Sequence, residues 1–240
     1  MMKNENIKIN PNYISGLVQS DGSFFDSISV LEKIRIYFNC GYISTNKKNN
    51  SAEFVVSSIK DLKYLIIPHF YNYPLHLSKQ SSFIILENII NILNEKAHYD
   101  KNIFANVIKL AFSMNEVNNR TMDQQNKLLE FIGINNSVEQ PIKPEIINHT
   151  LNEEFLIGFI DGDSSFHISF KKNKKLQLGF HITQHNNSIE LLKKVNILLG
   201  CGTIKEKSIT EIRYQFEHIN TILIPFINKY KLHTNKAIHY

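Results

Sequence analysis

The sequence predicts an α+β fold built from two pseudo-symmetric αββαββα repeats, the first lacking a β-hairpin and the second lacking its C-terminal helices. Three observations predict it: two copies of one apolar helix motif, a second block that repeats without a gap, and a run of strict apolar/polar alternation that occurs in one copy only.

The motif copies are Ile14-Ser15-Gly16-Leu17-Val18-Gln19-Ser20-Asp21 and Leu156-Ile157-Gly158-Phe159-Ile160-Asp161-Gly162-Asp163. A shift of 142 positions lays Gly16 on Gly158, Leu17 on Phe159, Asp21 on Asp163, Ser23 on Ser165 and Phe24 on Phe166. A shift of 161 then aligns residues 27–43 with 188–204, matching Ser27/Ser188, Leu31/Leu192, Lys33/Lys194, Cys40/Cys201 and Gly41/Gly202. A shift of 157 places Leu75-His76 on Leu232-His233 and Lys79 on Lys236. Each half therefore reads as motif helix, strands, helix, Cys-Gly turn, strands, then a Leu-His segment ending at lysine.

The change of shift from 142 to 161 means that 19 residues of the second copy have no counterpart in the first. Those residues read as a β-hairpin. Phe166, Ile168 and Phe170 alternate with His167, Ser169 and Lys171, and after Lys172-Asn173-Lys174-Lys175 the apolar series Leu176, Leu178, Phe180, Ile182 alternates with Gln177, Gly179, His181 and Thr183. Beyond Lys79 the first half carries helical spacing over 83–93 and 103–114, whereas the second copy stops at Tyr240, the counterpart of Phe83. The boundaries are a first repeat over 1–114, a linker over 115–150 and a second repeat over 151–240. The linker is rich in Asn and Gln, holds Pro141 and Pro144, and reads as one short helix around 124–132.

At 240 residues and 42% hydrophobic content the chain can bury a sizeable core. Its net charge of +5 suits a polyanionic partner. The basic residues are nearly all lysine, the arginines being Arg35, Arg120 and Arg213, while Ile and Asn abound and Trp is absent. An AT-rich coding sequence imposes that usage, which points to an organelle-encoded protein of the mitochondrial matrix. Two cysteines make no disulfide framework or metal spacing, and Cys40 and Cys201 read as small buried residues before glycine turns. No apolar run approaches the roughly 18 residues of a membrane span, and residues 1–12 lack a signal-peptide core, so no membrane partner is expected.

Within each motif the small residues Gly16 and Ser20, and Gly158 and Gly162, fall four apart and so share one helix face. Two such helices can pack backbone to backbone. Gly inside a helix costs roughly 0.5–1 kcal/mol against Ala, so close packing has to offset it. If the helices pair about a pseudo-twofold axis, Asp21 and Asp163 emerge side by side. Adjacent carboxylates repel unless a cation intervenes. Oxygen-only ligands favour Mg²⁺, and metal-assisted phosphodiester hydrolysis follows.

With two motif copies inside a duplicated framework, the chain resembles the LAGLIDADG homing-endonuclease family, of the two-motif, single-chain, organellar type. The resemblance covers nearly the whole chain. It implies that Asp21 and Asp163 bind the metal, that the paired helices form the domain interface, and that four-stranded saddles grip duplex DNA in the major groove. Gln19, Ser20 and Ser164 depart from the family pattern without touching the metal-binding positions. Gln184 resembles the family glutamine that orders active-site water, and Lys79 and Lys236 match its basic residue beside the cleavage centre. On the saddle, His167, Ser169, Lys171, Gln177, His181, Thr203, Lys205, Lys207 and Arg213 are expected to face nucleic acid.

The expected function is Mg²⁺-dependent hydrolysis of double-stranded DNA at a long target site. The alternative is a non-cleaving binder of structured RNA, an intron maturase or a mitochondrial ribosome component. It is motivated by the lost hairpin, which shrinks one gripping surface, and by the missing closing helices, which call for a ribonucleoprotein partner to cover the second half. A DNA binder without catalysis is a third reading.

Overall fold

Two asparagines start the two motif helices in the same way. In the computed structural model the Asn10 side chain accepts from the Asn12 amide at the head of α1 (Pro11–Gln19), and Asn152 accepts from the Phe155 amide at the head of α8 (Glu153–Asp163). Pro11, at the first turn of α1, lacks only an N–H that would have no partner inside the helix. The Asn152 amide also donates to the Asn12 side chain at 2.8 Å, joining the two heads. The structure describes residues 8–20, 24–25, 28–48, 51–96, 99–114, 121–131, 133, 144–170, 176–206 and 209–239.

The chain divides into two compact units, Met1–Val56 with His149–Tyr240, and Ser57–Asn148. In the first, α1 packs on α8 and the pair forms the centre of the core, with Tyr13, Ile14, Leu17, Leu156, Ile157, Phe159 and Ile160 all buried. Short β1 (Phe24–Phe25) is followed closely by α2 (Ile28–Phe38), then β2 (Tyr42–Asn46) and β3 (Ser51–Val55), giving an antiparallel three-stranded sheet in the order β1-β3-β2. Val30, Leu31, Ile34 and Phe38 recur at helical spacing on the buried face of α2, and Phe38 stacks on Phe54 of β3.

The second copy builds an antiparallel four-stranded sheet, β4-β5-β7-β6, from β4 (Ser164–Phe170), β5 (Leu176–Gln184), β6 (Thr203–Glu206) and β7 (Thr210–Tyr214). Helix α9 (Ile189–Leu199) lies against it and ends at Gly200 in the left-handed conformation, φ +66°. Phe180, Ile182, Leu191, Leu192, Val195 and Ile212 fill the space between. The hairpin register follows the sequence alternation, Phe166 opposite Phe180, Ile168 opposite Leu178 and Phe170 opposite Leu176. Burial does not follow it to the tip: Ile168, Phe170 and Leu176 are exposed, because helices cover only the hairpin root.

The second unit is helical. In it α3 (Ile59–Asp61) runs through a π turn, Leu62–Ile66, into α4 (Ile67–Asn72). Helices α5 (Leu77–Asn94) and α6 (Lys101–Ser113) pack through Ile85, Ile89 and Val107, and α7 (Met122–Phe131) follows. The same interrupted helix recurs in the first unit as α10 (Phe216–His218), a π turn over Ile219–Leu223 and α11 (Ile224–Tyr230). Pro68 and Pro225 explain both interruptions. Each lacks the N–H for an α-type bond, and the wide turn closes one residue earlier, Ile67 N–H donating to the Leu62 carbonyl and Ile224 N–H to that of Ile219. A last short helix, α12 (Lys236–His239), follows a turn through His233 and Thr234.

Candidate metal and nucleic-acid site

Helices α1 and α8 touch backbone to backbone at their small residues. A Cβ added to Gly16 would lie 1.9 Å from the Phe155 carbonyl oxygen, and one on Gly158 would lie 2.1 Å from that of Tyr13. On Gly162 it would meet Ser20 Oγ at 1.7 Å. All four small residues singled out in the sequence therefore stand in this contact, with no volume to spare.

The contact delivers the C-terminal end of α8 to the edge of the four-stranded sheet. Asp163 closes the helix, half-buried, and the Gln184 side-chain amide at the end of β5 donates to its Oδ2. Ser164 terminates α8 by donating its hydroxyl to the Ile160 carbonyl at 2.6 Å. The Lys236 ammonium reaches in from α12 and donates to the Ile160 carbonyl at 3.1 Å and the Gly162 carbonyl at 3.0 Å. A cation on the last carbonyls of a helix is favourably placed against its dipole. Burial lowers the Lys236 pKa, while the Asp161 and Asp163 carboxylates act the other way.

Asp161 is the buried carboxylate of this site that the motif spacing does not single out. It is buried, and its carboxylate accepts from the Tyr13 hydroxyl at 2.6 Å, from the His233 amide at 2.6 Å, from the Thr234 amide at 3.0 Å and from the Thr234 hydroxyl. Burial, then the adjacent carboxylate, push the Tyr13 phenol well above its ordinary range. The His233 ring meets the Tyr13 ring edge-on at 4.6 Å, and burial lowers its pKa. A signal was present: an acidic side chain within the otherwise apolar run 155–162 has to be paired or solvated, and the opposite copy has Gln19 there.

The polar face of the four-stranded sheet forms a groove of about 1090 Å³. Of the residues expected to face nucleic acid, His167, Gln177, His181, Thr203, Lys205 and Arg213 line it. Ser169 is exposed on β4 outside that lining, and Asp21, Lys171 and Lys207 lie outside the described residues. Lys79 stands half-buried on α5, in the helical unit.

Across the strands Thr203 pairs with Arg213 and Arg213 with His181, while Lys205 pairs with Glu211. Arg213 forms an ion pair with Glu211 at 2.5 Å. Glu211 was legible in the same alternation that exposes Arg213 and was missed, as were Gln215 and Phe216 at the groove's end. Gly179 exists to seat His167: a Cβ there would fall 2.3 Å from the imidazole. His167 and His181 face each other at 5.2 Å, and burial, then the neighbouring imidazole, lower the His181 pKa. Among the described residues no three His, Cys, Asp or Glu side chains converge on one point.

A helix pair in backbone contact, ending in a carboxylate at the edge of an antiparallel sheet with a polar groove, defines a duplicated α+β architecture. The chain belongs to the LAGLIDADG endonuclease family, whose sequence profile matches residues 25–90 and 156–240. It is 27% identical over 199 residues to "Probable intron-encoded DNA endonuclease 1" of Mycosarcoma maydis, covering 78% of this chain and 73% of that protein. It is 26% identical to "Probable intron-encoded endonuclease 2" of Neurospora crassa across 97% of this chain, which spans 58% of that relative's length. The fold matches I-SmaMI bound to uncleaved DNA in the presence of calcium ions, with a TM-score of 0.84 at 21% identity, covering 97% of this chain and 88% of that one. No described helix is long and apolar enough to cross a membrane.

Proposed function

We propose that the protein is a homing endonuclease that hydrolyses both strands of duplex DNA at a long target site with Mg²⁺. The observation that carries this reading is the gathering of Asp163, Gln184 and Lys236 at the end of the sheet whose polar face forms the groove. I-SmaMI, of the same fold, is named as bound to DNA.

The donor chemistry fits a hard divalent ion. Asp163 is an oxygen donor at half-exposure, and Gln184 holds one of its oxygens in place. Asp163, with Asp21 of the matching motif, would hold the ion. The chemistry such an ion supplies is polarisation of the phosphodiester and acidification of a bound water. Gln184 orients the carboxylate and, as an amide with both donor and acceptor atoms, can order the attacking water. Lys236 brings three N–H donors, two of them spent on helix carbonyls, so that one remains for a phosphate oxygen as charge develops on the leaving group. Lys79 takes the matching role in the first repeat. Lys205 contacts phosphate, Arg213 contacts phosphate or guanine, and His167, Gln177, His181 and Thr203 read base edges. Lys171, Lys207 and Ser169 extend the same surface.

The division into repeats over 1–114 and 151–240, joined by 115–150, is supported by the recurrence of motif helix, π-interrupted helix and Leu-His turn in both halves. The intron-encoded relatives support an organellar origin and action in the mitochondrial matrix.

The test is selection on a randomised duplex library in Ca²⁺, followed by a Mg²⁺ chase. Metal-dependent double-strand cuts at one recovered sequence are expected. Binding of that duplex without cleavage would overturn the hydrolytic half of the reading, and preferential recovery of structured RNA from a mixed pool would overturn the DNA half.

A further inference from the structure

Lys236 reaches Asp163 by a route that starts at a different carboxylate. We propose that Asp161, gripped across the helix pair by Tyr13, is the positioning residue that fixes Lys236 beside Asp163, through a Thr234 hydroxyl that the aligned Leu77 of the first copy does not have.

The contacts form a closed circuit. Asp161 accepts from the Tyr13 hydroxyl and from the amides of His233 and Thr234, which ties the turn before α12 to the end of α8. The Thr234 hydroxyl donates to the same carboxylate and in turn accepts from the Lys236 amide at 3.2 Å. The Lys236 ammonium then returns to the carbonyls of Ile160 and Gly162, which flank Asp161 in the chain. Backbone and side chain of Lys236 are thus both referenced to one buried carboxylate. A long flexible amine held at both ends loses the rotamer freedom that would otherwise scatter its charge. Tyr13 belongs to α1, so the helix pair itself supplies part of the grip.

The aligned positions of the first copy hold different chemistry. Gln19 stands in place of Asp161, Leu77 in place of Thr234, and the partner across the helix pair is Phe155 where the second copy has Tyr13. Leu77 has no hydroxyl to donate or accept and adopts φ +52°, so the hydroxyl link cannot be built there. The Thr234 link to Lys236 therefore has no chemical equivalent at the aligned position of the first copy, and the half-sites need not act at one rate.

The positioning step is testable on the full chain without DNA. Lysine acetylation followed by mass spectrometry compares Lys236 with exposed Lys229 in the wild type and in Thr234→Val, Thr234→Ser and Tyr13→Phe. Thr234→Val and Tyr13→Phe should each raise the labelling rate of Lys236 by about five-fold, the effect of releasing one hydrogen bond, and leave Lys229 unchanged. Thr234→Ser, which keeps the hydroxyl, should label as the wild type does. Tyr13→Phe removes one oxygen from a fully packed ring and carries the test if Thr234→Val does not fold. An unchanged Lys236 rate in a cooperatively melting Tyr13→Phe protein, or Thr234→Ser as reactive as Thr234→Val, would overturn the proposal.

The catalytic consequence rests on the endonuclease reading. On the selected duplex, Thr234→Val should slow single-turnover cleavage of one strand by about ten-fold or more with Kd in Ca²⁺ unchanged. Equal slowing of both strands, or none, would count against the positioning role. If the wild type cuts nothing, the endonuclease reading falls while the labelling result still decides the circuit.

Discussion

Gly16 faces the carbonyl of Phe155 so closely that a single added carbon would lie 1.9 Å from its oxygen. This is a contact between two helix backbones, which no rotamer change can relieve. Alanine is the better helix former by about 1 kcal/mol, yet Gly16→Ala should destabilise the protein, because the helices must separate along their length. A loss of about 3 kcal/mol in chemical denaturation is expected, with Gly158→Ala, opposite the Tyr13 carbonyl, behaving alike. A neutral or stabilising effect would mean that the helices pack less closely than described.

Gly162 differs in kind, because its neighbour is the Ser20 side chain rather than backbone. Gly162→Ala should cost stability, and adding Ser20→Gly should restore most of it. A double-mutant cycle on unfolding free energies measures the coupling, expected at about 1–3 kcal/mol. Additive losses would show that the two positions do not compete for the same space.

Replacing Gln184 by Ala leaves Asp163 without its amide partner from β5. The selected duplex should still bind in Ca²⁺, since the groove is untouched, while the Mg²⁺-dependent single-turnover rate falls by roughly 10²-fold. Parallel measurement of Kd and cleavage separates the two. Loss of binding with an unchanged rate would place Gln184 in recognition instead.

Charge on the sheet face sets a salt dependence. Lys205→Ala should reduce the slope of log Kobs against log salt by about one unit while affecting all duplexes alike. Glu211 forms an ion pair with Arg213, so Glu211→Gln releases that guanidinium and removes a negative charge from the groove. Its non-specific binding should tighten at low salt, read by fluorescence anisotropy on an unrelated duplex.

In the helical unit burial lowers the pKa of His69 to about 4. Its imidazole stays neutral in the folded chain while the unfolded chain protonates near 6.5. Above that pH its titration has no effect on stability. As pH falls from about 6.5 toward 4 the unfolded state takes up a proton that the folded state refuses, so stability is lost across that window, by up to about 3 kcal/mol. Urea midpoints measured from pH 7.5 to 4.5 should show it, and His69→Phe should flatten that part of the profile.

Periodicity and self-similarity made the architecture legible. The paired motif helices, the hairpin register, α9, the glycine turns and the two helices after Lys79 all follow from spacings that any reader of the chain can count, because backbone geometry repeats locally. The small residues of the helix contact were legible for the same reason. Chemistry that depends on residues distant in sequence was not. Asp161 looks like one more polar residue in a motif until Tyr13, 148 positions away, and Thr234, 73 away, converge on it. Nor did alternation reveal that Ile168, Phe170 and Leu176 stay exposed, since a pattern states which face is apolar and not what covers it.

By itself, then, the sequence determined the duplication, the helix pair and the candidate ligands Asp21 and Asp163, since each depends on residues a few positions apart or on the match between copies. Only the tertiary structure decided how Lys236 is held and which saddle residues share one groove. Those arrangements are set by hydrogen bonds and packing between elements far apart in the chain, which local spacing does not encode.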